Sequence, residues 1–85
     1  MSWTLRLARQ AEKRLEKIPA KDRGRILSAL QQMCANPFSG DLVKLKNERA
    51  TWRRRVGNYR IFFDAYPEQL LVDIVEITRR TSSTY

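Results

Sequence analysis

Histidine is absent from this 85-residue chain, cysteine occurs once, and glycine and proline occur three times each. Without histidine, a Cys-His nucleophile pair and a Cys/His metal site are excluded, and no cofactor or metal is implied. Cys34 alone cannot form an internal disulfide, and its place in a helical stretch suits a small packing residue. Acidic residues are also scarce: nine Asp and Glu stand against seventeen Lys and Arg, a formal net charge of +8. Repeats and low-complexity tracts are missing. So are long apolar runs, because charge interrupts them well short of the roughly 20 residues that cross a bilayer. Arg6, Arg9, Lys13 and Arg14 break any apolar stretch that a signal peptide would need. The expectation is a cytoplasmic protein without membrane association.

Apolar residues make up 42% of the chain and recur along its length, which favours a globular fold over disorder. The length suits one domain, spanning residues 1–85, with one modest core. An excess of cations on so small a domain serves either solubility or a polyanionic partner. Their distribution favours the partner. Seven basic side chains, Lys44, Lys46, Arg49, Arg53, Arg54, Arg55 and Arg60, fall in one segment that holds Glu48 as its sole acid. Twelve of the seventeen cations are arginine, whose planar fork grips phosphate bidentately and stacks on bases.

Trp3 to Leu7 alternates apolar and polar residues, as a short strand with one buried face does. From Ala8 the period changes: Ala8, Ala11, Leu15 and Ile18 recur at spacings of three and four, the mark of an amphipathic helix. Pro19 breaks it, and a second helix over Ala20 to Ala35 carries Ile26, Leu27, Leu30, Met33 and Cys34 inward. Asn36-Pro37 stops that helix, because the residue before proline avoids the helical region. Leu42 to Lys46 fits a short strand or a loop. Trp52 to Val56 and Tyr59 to Ala65 are strand-like runs joined by Gly57-Asn58, a pair suited to a tight hairpin turn with positive φ. After a turn at Tyr66 to Gln69, Leu70 to Ile77 looks like a strand buried on both faces. The expected class is α+β: a short N-terminal strand, a helical hairpin, then an antiparallel β meander with the helices on one face.

A two-residue turn at Gly57-Asn58 pairs Arg55 with Arg60, Arg54 with Ile61, Arg53 with Phe62 and Trp52 with Phe63. Period-two alternation then puts Arg53, Arg55 and Arg60 on one face with Phe62. Two opposed arginines repel by roughly 0.2–1 kcal/mol. A bound anion would remove that penalty, and so would an Asp or Glu from elsewhere in the fold. Arg54 falls on the apolar face, where it must either snorkel past Trp52 or find a carboxylate. Beyond the last strand, Arg79 or Arg80 can come near the Arg53/Arg55 rim, and Tyr85 by position alone is a chain end.

Asn36-Pro37 after a helical hairpin, Lys44-Leu45-Lys46, Trp52 to Ile61 and Ile77-Thr78-Arg79-Arg80 together resemble the RelE/ParE toxins over nearly the whole chain. Arg55-Val56-Gly57-Asn58-Tyr59-Arg60 is the most specific part. The resemblance implies a bacterial or archaeal type II toxin with a microbial-ribonuclease-like fold, neutralised by a cognate antitoxin. RelE-like members cut messenger RNA on the ribosome, whereas ParE-like members poison DNA gyrase without catalysis. The RelE-like pattern implies a catalytic set of Arg53, Arg55, Arg60, Arg80 and Tyr85, the last after a one-residue gap; the neighbouring cations Lys44, Lys46, Arg49, Arg54 and Arg79 are the candidate RNA-binding residues.

The implied reaction is attack of a ribose 2′-hydroxyl on the adjacent phosphate, leaving a 2′,3′-cyclic phosphate and a 5′-hydroxyl. Arg53, Arg55 and Arg60 would neutralise the developing phosphorane charge. Arg80 would serve the leaving oxygen, and Tyr85 would act as general base or stack on a base. The family often has lysine at the two strand positions that are Arg53 and Arg55 here. Because arginine stays protonated, the proton transfer falls more heavily on Tyr85.

Overall fold

The computed structural model describes residues 2–46 and 50–79. Alternation at the N-terminus yields strand β1 (Thr4–Leu7), and the three-and-four spacing yields helix α1 (Arg9–Lys17). Ala11 and Ile18 are buried, and Leu15 packs against the same core. Pro19, with φ −52° and ψ 147°, is extended and starts helix α2 (Ala20–Ala35), whose first turn closes through Arg23 N–H to Pro19 O at 2.8 Å. The Arg23 side chain donates from Nη1 to Ile18 O at 3.0 Å and to Glu16 O at 3.4 Å. It thereby satisfies carbonyls that the end of α1 leaves without helical partners. Asn36 ends α2 in an extended conformation, φ −153° and ψ 102°, as its position before proline requires.

The remaining strands are β2 (Asp41–Lys44), β3 (Trp52–Val56), β4 (Tyr59–Tyr66) and β5 (Leu71–Arg79). A single 3-10 turn, Pro67–Gln69, and Leu70 with a φ of 48° reverse the chain between β4 and β5. The segment that sequence left between strand and loop is therefore a strand over Asp41–Lys44. Sheet order is β1-β5-β4-β3-β2; β2 to β5 form the antiparallel meander, and β1 lies parallel to β5 at the far edge. The α+β class and element order agree with the sequence reading.

Both helices contribute to a core on one side of the sheet, where Ala11, Ile18, Ile26 and Met33 meet Tyr59, Ile61, Phe63, Val72, Ile74 and Ile77. Each large side chain so buried contributes about 1.5–3 kcal/mol. Two expectations need correction. Leu27, assigned to the core, is 49% exposed, because the inner face of α2 is set by Ile26, Ala29, Leu30 and Met33 and Leu27 lies a helical step outside it. Strand β5, expected to be buried on both faces, buries Val72, Ile74 and Ile77 on one face and leaves Asp73, Val75, Glu76 and Thr78 half-buried. A bulge explains why its apolar residues depart from simple alternation. Pairing passes from Phe63↔Ile74 to Phe62↔Glu76, so Val75 is an extra residue, and Ile74 and Ile77 face the helices although three positions apart. No helix among the described residues is long and apolar enough to cross a membrane.

Candidate nucleic-acid interface

The β3–β4 hairpin turns at Gly57, whose φ is +58°, while Asn58 is not in the left-handed region. Glycine with positive φ at the first central position alone is the pattern of a type II′ turn, which matches the right-handed twist of the strands. This turn fixes the register inferred from sequence: Arg55↔Arg60, Arg54↔Ile61, Arg53↔Phe62 and Trp52↔Phe63. On the sheet face away from the core, Asp41, Arg55, Arg60 and Thr78 lie in one cross-strand row, and Val43, Arg53, Phe62 and Glu76 lie in the next.

Arg55 is exposed, and Arg53 and Arg60 are half-buried. Directly opposed residues have Cα atoms about 4.5–5.5 Å apart, and residues two apart along a strand are separated by roughly 6.5–7 Å. Three guanidinium groups are thus rooted close enough to meet one phosphate. None of the three forms an ion pair with a described residue. Arg53 Nε is buried without a hydrogen-bond partner, a donor that an acceptor on this face would satisfy. Asp41 and Glu76 were missed from the sequence as members of this face. Extending the ladder from Arg55 to β2 would have found Asp41, whereas Glu76 depends on the bulge.

Farther along the same face the charge changes sign. Asp64 accepts the Thr51 N–H at 2.8 Å, and Arg6 pairs with Asp73 at 3.3 Å. Hydrogen bonding and the negative charge of Asp73 raise the pKa of Arg6. Among the described residues no cluster of carboxylates and cysteine is gathered as metal ligands would be. Guanidinium groups bind phosphate and stabilise developing negative charge, but they do not exchange protons at neutral pH.

Of the other expected RNA-contacting residues, Lys44, Arg54 and Arg79 lie off this face. Arg54, expected among the RNA-binding residues, is a buried cation, 6% exposed and turned to the helix side. It finds no carboxylate among the described residues. Its Nη2 donates to Gln32 Oε1 at 2.6 Å, and its Nη1 donates to Ser39 Oγ at 3.3 Å and to Ala29 O at 3.5 Å. Its Nε has no partner, and burial lowers its pKa. Arg79 pairs with Tyr59, so it too belongs to the helix side, not to the Arg53/Arg55 rim. Lys44 pairs with Trp52 and holds its ammonium over that ring at 5.8 Å, in an aromatic group with Phe38 and Trp3. Lys46 is exposed beyond the end of β2. Arg49, Arg80 and Tyr85 lie outside the described residues.

Two helices thus pack on one face of a mixed five-stranded sheet, and Arg53, Arg55 and Arg60 gather on the other. The family model described as "ParE toxin of type II toxin-antitoxin system, parDE" matches residues 5–83, and the chain belongs to this RelE/ParE family of type II toxins. Its fold matches that in an archaeal RelE-RelB complex from Pyrococcus horikoshii, with a TM-score of 0.82, 20% identity, and coverage of 98% of this chain and 100% of that one. RelBE2 of Mycobacterium tuberculosis gives 0.80 and 23%, covering 94% and 100% of the two chains. The isolated RelE toxin of E. coli gives 0.80 and 17%, covering 96% and 88%. No curated protein sequence matches the chain.

Proposed function

We propose that the chain is the toxin of a toxin–antitoxin pair and a ribosome-dependent endoribonuclease acting on messenger RNA in the cytoplasm. The observation that carries this reading is the convergence of Arg53, Arg55 and Arg60 on the sheet face opposite α1 and α2, with Arg55 and Arg60 directly opposed. Two like charges facing each other weaken the hairpin; Asp41, opposite Arg55 on β2, offsets part of that excess, and a scissile phosphate supplies further negative charge to the three cations. The 2′-hydroxyl attacks this phosphate, the three arginines stabilise the phosphorane, and Arg80 and Tyr85 serve the leaving group and the proton transfer. Arg53 and Arg60 are half-buried, so they have less side-chain freedom to lose on binding than fully exposed arginines.

The fold match to RelE chains supports the nuclease, and those chains crystallised with RelB support a cognate antitoxin as partner. A second reading, inhibition of DNA gyrase without catalysis, is favoured by the ParE description of the matching family model. Incubation with programmed ribosomes and, separately, with gyrase and DNA tests both. Cut message supports the first reading; intact message with trapped double-strand breaks replaces it with the second.

A further inference from the structure

On the helix side of the sheet, away from the arginine face, a groove of about 510 Å³ runs between α2 and β3. Its lining includes Lys21, Arg25, Ser28, Gln32 and Arg54 and contains no acidic residue. Arg54 is the unusual member: a cation with only neutral oxygen partners, and with Nε bonded to nothing. A buried charge without a counter-ion is destabilising unless something compensates it. Lys21 and Arg25 add positive charge to the same opening, so nothing in the lining provides that compensation.

We propose that this groove is a carboxylate-binding site that receives an acidic side chain from a protein segment. Charge complementarity requires an anion, and the groove's apolar elements select the kind. Ala29 and Val56 line it beside the cations, and exposed Leu27 stands three residues from Gly24 on the neighbouring helical face. A segment with Glu or Asp next to apolar residues satisfies both components, whereas a phosphate backbone leaves Leu27 and Val56 unused. The site lies on the opposite side of the sheet from Arg53, Arg55 and Arg60, so its occupant and a nucleic acid on that face do not compete for the same cations. The inference rests on the protein-partner part of the proposed function and not on its nuclease part.

A Cβ on Gly24 would meet nothing within 4 Å, and replacing glycine inside a helix favours folding by up to about 1 kcal/mol. Gly24→Glu therefore places a carboxylate at the groove in a chain that still folds, with Gly24→Ala as its control. The probe is a capped twelve-residue amphipathic peptide of Glu, Leu and Ala, titrated into the full-length chain labelled with ¹⁵N-arginine. The Arg54 Nε–H resonance should shift to saturation in the parent and in Gly24→Ala. Binding should weaken at least tenfold in Gly24→Glu, and equally when Gln replaces Glu in the peptide, while Arg55→Ala should leave it unchanged. An Arg54 signal that ignores the peptide, or that answers a single-stranded RNA oligonucleotide instead, overturns the proposal. A chain that binds the peptide yet cuts no message removes the nuclease reading and leaves the groove standing; a cutting chain with a silent Arg54 does the reverse.

Discussion

Gly40→Ala should be among the most damaging single-methyl additions to this fold, because the backbone and a buried cation oppose it together. Gly40 has φ +84°, and a Cβ there would lie 2.8 Å from both Cζ and Nε of Arg54. Forcing a side chain into the left-handed region costs about 1–2 kcal/mol, and the smaller conformational freedom of the unfolded alanine chain returns about 0.4–1 kcal/mol of that. The guanidinium cannot simply retreat, since Gln32 holds Nη2 at 2.6 Å and Ser39 holds Nη1 at 3.3 Å. Losing one such bond to a charged group removes about 1.5–3 kcal/mol. The sum is a loss of about 2–4 kcal/mol, or a fall in Tm of about 4–8 °C for each kcal/mol in a domain of this size. Urea titration followed by circular dichroism measures it. In an Arg54→Met background the steric part disappears and Gly40→Ala should cost about 1 kcal/mol, a coupling that a double-mutant cycle isolates. Equal losses in both backgrounds would refute the contact between Gly40 and Arg54, and a loss below half a kcal/mol in the parent would refute the argument altogether.

Arg60→Ala should lower single-turnover cleavage on programmed ribosomes by on the order of a hundredfold, the scale of losing one transition-state donor; Arg9→Ala, on α1, should leave it unchanged within a small factor. Tyr85→Phe should lower the same rate with ribosome affinity nearly intact, and cleavage at the parental rate would show that another group moves the proton. RNA binding should weaken as salt rises, with a slope that reports phosphate contacts, and Arg53→Ala or Arg55→Ala should flatten it; association indifferent to salt would point to a protein target. Tyr59→Phe removes the donor to Asp22 Oδ2 at 3.3 Å and should cost about 0.5–1.5 kcal/mol in denaturant, a loss whose absence would show that bond to be idle.

Local chemistry made much of this fold legible. Pro19 and Asn36-Pro37 bound the helices because proline restricts its own backbone and that of its predecessor, and Gly57 sets a turn from which the pairing of Arg55 with Arg60 follows by counting. The arginine face is therefore written in the sequence: a period of two and a two-residue turn leave Arg53, Arg55 and Arg60 no other side to occupy. Arg54 shows where such counting stops. Alternation sends it inward, but its partners Gln32, Ser39 and the Ala29 carbonyl come from α2 and the loop after it, at separations of 22, 15 and 25 residues. Lys44, Glu76 and Arg79 likewise depend on how β2 and β5 align with their neighbours, including a bulge at Val75 that no local pattern marks. Short-range steric preferences act within a few residues and can be read along the chain. Which cations share a face, and which one is buried without a counter-ion, is decided by packing between segments, and that exists only once the sheet and helices have closed on each other.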